Sequence, residues 1–338
     1  MSLRARVLDH APEGWGDLIE HDADATPGHR PEMWIALSAA LAGFEPRVIA
    51  IEDGGELIGG MPLMIERRGA LAWLHALPYL LSGAPLARPG HRAEVDASAA
   101  DALAALSQEL RAAGGEWSCY RPEGDAIADH ALDRLSGETR WMESAVIDLT
   151  SGAAAARRGM DRKARQDVSR SRDQGVRFGE EPAALEEAYA LHARQSRAWS
   201  GHRPLPIELS RRLIDSGIGH LMIARDGRGM LCATLALEGP HDGFVWWSGS
   251  HPGARAAEAF PGLLWWIAEW SAARGRRRFD LGASRGIVPI ERFKRSLGAR
   301  AVRYPVRWLD AREAPPLGRL AAALQRRLRR GRPRGEAA

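Results

Sequence analysis

One internal relationship constrains this chain more than any other. The stretch VIAIEDGGELIGGMPLMIERRGALAWL, from Val48, is laid out like LMIARDGRGMLCATLALEGPHDGFVWW, from Leu221. In register, each has an apolar strand, an Asp-Gly turn (Asp53-Gly54 and Asp226-Gly227), and a second apolar strand. A polar turn and an aromatic-bearing third strand follow in both. The offset is 173 residues, about half of a 338-residue chain. Any two three-stranded meanders share some of this pattern. Helical segments flank both copies, however, and that predicts a duplicated α/β domain with its boundary near Thr150–Gly152. The predicted organisation is a first domain over 1–150, a second over 151–312, and a basic tail over 313–338.

Hydrophobic periodicity supplies the other elements. Ala97–Ala113 carries Leu103, Leu106 and Leu110 on one helical face and runs into Gly114-Gly115. Pro261–Arg274 opens on proline, carries Leu263, Trp266, Ile267 and Trp270 on its apolar face, and ends at Gly275. Strands are predicted at Arg47–Asp53, Leu57–Glu66, Glu116–Tyr120, Ala145–Leu149, Gly219–Arg225, Met230–Leu237, Gly243–Ser248 and Arg278–Leu281. The uncharged 18-residue run Ala70–Ala87 approaches the length of a membrane span, but Pro78, Gly83 and Pro85 break it, so it reads as buried strand and loop. A meander whose last strand feeds a helix and returns to another strand is the layout of the acetyltransferase-type fold, though other α+β proteins share it.

Composition narrows the function classes. With 45% apolar residues the chain is able to bury a sizeable core, which excludes disorder throughout. It carries 45 Arg and only 2 Lys against 43 acidic residues, for a net charge of +4. The charge is uneven. Residues 317–338 hold seven Arg and one Glu, so the remainder is net −2 and nearly neutral. Arg157–Arg177 is a second basic segment, at +5. Two cysteines 113 residues apart make neither a disulfide framework nor a zinc cluster, and the N-terminal segment lacks a secretory apolar run. A cytoplasmic location is the expectation, with peripheral contact at the inner face of the membrane through the tail. There Leu317, Leu320, Leu324 and Leu328 share one side, beside Arg326, Arg327, Arg329 and Arg330. Docking on an anionic membrane, docking on RNA, and a basic terminus without a binding role all fit that pattern.

Chemistry concentrates in Arg277–Arg300, RRFDLGASRGIVPIERFKRSLGAR. A strand ends at Asp280-Leu281-Gly282, a small-residue loop with Ser284, Arg285 and Gly286 follows, and a short basic helix carries Arg292, Phe293 and Lys294. Such a loop leaves backbone N–H groups free for an anion or a developing oxyanion. Asp280, Ser284, Arg285 and Arg292 are the candidate substrate-binding residues, with Asp280 able to hold the loop or orient an amine; a plain glycine turn with Asp280 as a cap fits it as well. Lys294 is distinctive in a chain that otherwise uses arginine, because a lysine supplies a compact ammonium whose pKa burial can move. The two lysines, Lys163 and Lys294, lie in Arg157–Arg177 and Arg277–Arg300.

FDLGASRGIVPIERFKRSLGA resembles the C-terminal signature of the FemABX-like transferases, a strand ending in Asp-hydrophobic-Gly, a small loop, and a helix bearing Phe-Lys before a Gly. GFVWWSGSHPGARAAEAFPGLLWWIAEWSAARG is similar to that family's aromatic strand, loop and Leu-rich helix. GMDRKARQDVSRSRDQGVRF resembles the basic helix opening its second domain, and LPYLLSGAPLA its first domain's proline-containing loop. The resemblance covers most of residues 30–310, and a broader set of bacterial acyltransferases shares it. It implies two tandem GNAT-like (acyl-CoA N-acyltransferase type) domains, each a mixed central sheet flanked by helices. It also implies transfer of an aminoacyl group from aminoacyl-tRNA to an amine on a nucleotide- or lipid-linked cell-wall precursor. Phe293 and Lys294 match the family's catalytic pair, with Lys294 stabilising charge on the ester carbonyl and leaving oxygen. Trp247, or its neighbour Trp246, falls on the strand that lines the family's substrate channel.

Acetyl-CoA-dependent relatives bind pyrophosphate on a Gln/Arg-x-x-Gly-x-Gly/Ala loop at a helix N-terminus. Here that loop reads GARAAEAFPG, with its amide-presenting glycines replaced and Glu258 placed to repel phosphate. This disfavours acetyl-CoA as donor without excluding it. An acyl-CoA-dependent N-acyltransferase acting on a sugar amine or small metabolite stands as the second enzymatic reading. An RNA- or membrane-binding protein without chemistry is the third. In the basic segment Arg162, Lys163 and Arg165 are candidate phosphate or nucleic-acid contacts, although Met160, Ala164 and Val168 form only the thin apolar stripe of a solvated helix. His192, His202, His241 and His251 have no metal-ligand spacing, and His192 reads as structural. No metal and no permanently bound cofactor is expected. With no His or Glu base beside the Phe-Lys pair, the attacking amine is expected to lose its proton to the substrate itself.

Overall fold

The computed structural model describes residues 3–323 apart from 80, 125, 199–202, 312, 313 and 322. The described chain is ordered as β1 (Leu3–Leu8), α1 (Trp15–His21), α2 (Pro31–Ala40), β2 (Phe44–Asp53), β3 (Glu56–Arg68), β4 (Leu71–His75), β5 (Leu86–Ala87), α3 (Arg92–Glu109), β6 (Gly115–Ser118), α4 (Asp129–Leu132) and β7 (Gly137–Asp148). There follow α5 (Ala153–Arg158), α6 (Arg162–Asp173), β8 (Arg177–Glu180), α7 (Leu185–Ala198), α8 (Ile207–Asp215), β9 (Gly219–Asp226), β10 (Gly229–Glu238), β11 (Asp242–Ser250), α9 (Ala259–Ala273), β12 (Arg278–Ala283), α10 (Val288–Ser296) and β13 (Arg300–Leu309). The chain divides into two compact units, one of Met1–Glu143 with the chain from Arg303, the other of Ser144–Val302. The second unit is thus spliced into the first, through β7 on the way in and β13 on the way out. The sequence-based boundary lay at 150, with everything to 312 assigned to the second domain.

Each unit is built on one of the two repeated stretches. In the first, β2, β3 and β4 form an antiparallel meander, α3 crosses over, and β6 returns parallel to β4 with Leu74 opposite Gly115. In the second, β9, β10 and β11 form the meander, α9 crosses over, and β12 returns parallel to β11 with Phe244 opposite Asp280. A parallel return needs such a crossover, because a hairpin cannot reverse the chain twice. Edge strands β1 and β8 pair with β2 and β9, respectively. The strand beyond each parallel pair comes from far away in the sequence. In the first unit β13 pairs with β6, Val306 opposite Ser118, and in the second β7 pairs with β12, Arg278 opposite Asp148.

Helix ends depart from the periodic reading where tertiary bonds intervene. α3 stops at Glu109 rather than running to Ala113, because Arg111 turns left-handed and the Ala113 N–H bonds to Ala72 O. α9 starts at Ala259, two residues before the proline taken as its first position, with Glu258 as its cap. The polar run ahead of Ala145 is strand as well, since β7 begins at Gly137. The Ala70–Ala87 run holds β4, a loop whose described residues are buried apart from Tyr79, and β5 paired with β3. Among the described residues no helix is long and apolar enough to cross a membrane. In the second unit, Leu263, Trp265 and Ile267 of α9 pack with Phe279 and Leu281 of β12 in one buried cluster. Each such side chain contributes about 1.5–3 kcal/mol by leaving water.

Candidate active site

Two irregularities open the sheet of the second unit at the same level. Leu235 of β10 faces Trp247 while Ala236 faces Val245, so Trp246 is an extra residue that bends β11. The parallel pairing of β11 with β12 ends at Phe244 opposite Asp280, although β11 continues to Ser250. On the other side of β12, the register with β7 shifts between Asp280 and Ala283. Leu281 and Gly282 therefore fall outside the ladder. Gly282 has a φ of +77°, a left-handed conformation that a side chain disfavours. Such a break exposes backbone polar groups inside the protein, and each needs a partner.

Lys294 supplies it. From α10 its Nζ donates to the carbonyl oxygen of Gly282 at 2.8 Å and to that of Ala283 at 3.1 Å. The side chain is buried, with the residue only 9% exposed. Burial pushes its pKa down to about 8, against the opposing pull of Asp280. Asp280, also buried, braces the break from within: its Oδ1 accepts from the Ser144 hydroxyl at 2.5 Å and from the Gly282 N–H at 2.7 Å. An ammonium has three donors, and two are committed here. The third can serve an oxyanion formed in the opening between β11 and β12.

Phe293 turns the other way along α10. It stacks on Phe260 of α9, with ring centroids 6.0 Å apart, and packs against the core beneath. Its contacts hold α10 in place, and through it Lys294. Ser284 is buried, and its carbonyl oxygen accepts from the Ile287 N–H at 3.0 Å, closing the turn into α10. Arg285 is left-handed at φ +53° and exposed on that turn, and Arg292 is exposed on α10. The structure thus brings Lys294 and Asp280 together at the loop that carries Ser284 and Arg285, with Arg292 exposed on the helix that follows and Phe293 packed against α9.

Trp247 is not part of that group. Its ring lies in a different cluster, with Leu185 and Ala188 of α7, where Nε1 donates to Ser210 Oγ at 3.1 Å and the ring stacks on His192 at 4.8 Å. The bulge at Trp246 sets this orientation. His192 bonds the Ser248 carbonyl oxygen through Nδ1 at 2.9 Å, in keeping with a structural role. Sequence reasoning missed Ser144 and Phe260. Ser144 is 136 residues from its partner Asp280, and no local pattern marks it. Among the described residues no group of three or more His, Cys, Asp or Glu is arranged to hold a metal ion; His202 lies outside them.

At the start of α9, Glu258 is left-handed at φ +48°, with its carboxylate 3.9 Å from Arg170. Pro261, within the first turn, has no N–H to offer a phosphate. In the basic segment, Met160, Ala164 and Val168 are buried together with Asp167, while Arg158, Arg162, Lys163, Arg170 and Arg172 are exposed. Arg162 is exposed, Lys163 pairs with Asp167 at 2.6 Å, and Arg165 donates to the carbonyls of Arg158 and Met160. Ala154, Arg157, Arg158 and Arg165 line a shallow basic depression.

Residues 154–295 match the family model of the acetyltransferase (GNAT) domain. No curated protein matches the sequence. Among solved structures, FemX is similar over 95% of this chain and 100% of its own, with a TM-score of 0.72 at 10% identity. A tandem GNAT protein from the clavulanic acid biosynthesis pathway is similar over 92% and 99%, with a TM-score of 0.53 at 12% identity. The C-terminal domain of a putative lysylphosphatidylglycerol synthetase from Agrobacterium fabrum is similar over 94% and 96%, with a TM-score of 0.52 at 14% identity. At such identities the structural likeness establishes the fold, and that fold is the tandem one expected from the repeat.

Proposed function

We propose that this chain, an acyltransferase of the tandem GNAT fold and FemABX-like in its architecture, moves an aminoacyl or acyl group onto an amine of a cell-wall precursor or related glycoconjugate. The observation that carries this reading is the Lys294 ammonium, held on the carbonyls of Gly282 and Ala283 where β11 and β12 part. Attack of a neutral amine on an ester or thioester carbonyl places negative charge on the carbonyl oxygen. The remaining N–H of Lys294 stabilises that charge, and one fixed donor of this kind contributes about 10²–10³ in rate. The collapsing intermediate breaks the bond to the leaving oxygen or sulfur, which takes up the amine's proton. No side-chain base is then required, and the carboxylate beside Lys294, that of Asp280, already accepts from the Ser144 hydroxyl and the Gly282 N–H.

Aminoacyl-tRNA is the donor favoured by the start of α9. Glu258 places a negative charge there, and Pro261 removes an amide from the turn that would otherwise cradle a pyrophosphate. The basic depression at Arg157, Arg158 and Arg165 offers a surface for phosphates. The GNAT family match supports a second reading, an acyl-CoA-dependent N-acyltransferase acting on a sugar amine or small metabolite.

The test is a transfer assay with labelled aminoacyl-tRNA and a nucleotide-linked muropeptide, beside a parallel assay with acetyl-CoA. Ribonuclease-sensitive transfer that Lys294→Ala abolishes is the expected result. Transfer from acetyl-CoA alone would replace the donor assignment, and an undiminished rate in Lys294→Ala would overturn the catalytic role.

A further inference from the structure

The last described helical turns, at 316–321, are amphipathic in the inverted sense. Their small residues face the first unit. A Cβ on Gly318 would meet Ala314 Cβ at 3.1 Å and Leu71 Cδ2 at 3.2 Å, and Ala321 packs against the cluster of Trp73, Ala113, Ala311 and Ala314. Their leucines face water, with Leu317 68% exposed and Leu320 58% exposed, and Arg319 is exposed between them. Leu317 is the most exposed large apolar side chain among the described residues. A helix that only had to cover the first unit would turn its leucines inward.

The sequence continues the pattern, with Leu324 and Leu328 in step with Leu317 and Leu320, and seven Arg against one Glu over 317–338. We propose that this outward face, Leu317 and Leu320 with Arg319 between them, docks on the surface of an anionic lipid bilayer. Arginine alone suits the phosphates of RNA as well as those of a lipid. Exposed leucines decide between them, because a bilayer offers a hydrocarbon phase and RNA does not. A second copy of the chain is a poor occupant, since it would set one strongly basic tail against another. The proposal does not depend on the transferase reading, and its test uses neither donor nor acceptor.

The full chain is sedimented with vesicles of phosphatidylcholine alone and of phosphatidylcholine mixed with phosphatidylglycerol. Binding is expected to the mixed vesicles, weakening as salt rises. The double substitution Leu317→Ala/Leu320→Ala is expected to lower partition by at least about tenfold. Alanine suits an exposed helix, so an unchanged melting temperature would confirm that the variant folds. Equal binding by the double variant would overturn the proposal. So would a wild-type chain that ignores mixed vesicles and instead binds RNA, or forms a dimer that the substitutions dissolve.

Discussion

Lys294 Nζ donates to the backbone carbonyl oxygen of Gly282 at 2.8 Å, joining α10 to the end of β12 across twelve residues. The same bond that positions the ammonium also satisfies a carbonyl that has left the sheet. Stability and catalysis are therefore coupled at this residue, and experiments have to separate them.

Lys294→Met retains much of the stem and removes the charge. The turnover rate should fall by about 10²–10³. Loss of the two carbonyl partners should also cost about 1–3 kcal/mol for each group left buried and unsatisfied. Arginine should not rescue the rate, because its planar fork cannot take the place of a compact ammonium. Kinetics and thermal melts on the same preparations check both effects.

The pH profile should carry a signature of opposite signs. Burial pushes the Lys294 pKa from the ordinary 10.5 down to about 8. If the ammonium stabilises the oxyanion, the rate falls as pH rises through about 8, whereas a lysine base would make it rise. For folding, the unfolded chain binds this proton more readily than the native chain between about 8 and 10.5, so stability attributable to Lys294 increases across that window. Rate and melting profiles of wild type and Lys294→Met over this range test both.

Glu258→Gly addresses the donor. Glycine accepts φ +48° without a Cβ, which should stabilise the fold by about 1 kcal/mol, and the change removes the carboxylate from the start of α9. Calorimetry should show tighter CoA binding than in the wild type. Transfer from aminoacyl-tRNA should be unchanged if that donor does not use this turn.

His220 reports on stability away from the site. It bonds Glu180 Oε1 through Nδ1 at 2.7 Å and Glu238 Oε2 through Nε2 at 3.1 Å. Burial pulls its pKa down, but the bonds to Glu238 and Glu180 win and the net shift is upward from 6.5. Its contribution is therefore fully present below 6.5 and lost as pH rises through the raised native value. The gap in melting temperature between wild type and His220→Gln should narrow on going from acid to alkaline pH. A gap independent of pH would show that the imidazolium is not the stabilising form.

Much of the scaffold is legible in the sequence. Apolar runs on either side of Asp53-Gly54 and Asp226-Gly227 marked the two meanders, because a short apolar run and an Asp-Gly turn are local properties. Lys294 was visible as a lone lysine among arginines beside a small-residue loop. Its burial was not visible, nor were the carbonyls that hold it. Ser144 was out of reach, since its value lies entirely in a bond to Asp280 far along the chain. The resemblance puts Trp247 or its neighbour Trp246 on the strand lining the family's channel, and the extra residue at Trp246 leaves both rings against the cluster with α7.

By itself, then, the sequence determined the repeat, the meander strands and crossover helices at its centre, and the segment in which chemistry concentrates, all of which follow from interactions between near neighbours. Only the tertiary structure decided which distant strand completes each sheet and which carbonyls Lys294 serves. Those outcomes depend on pairing registers and on burial, and neither is set until remote parts of the chain meet.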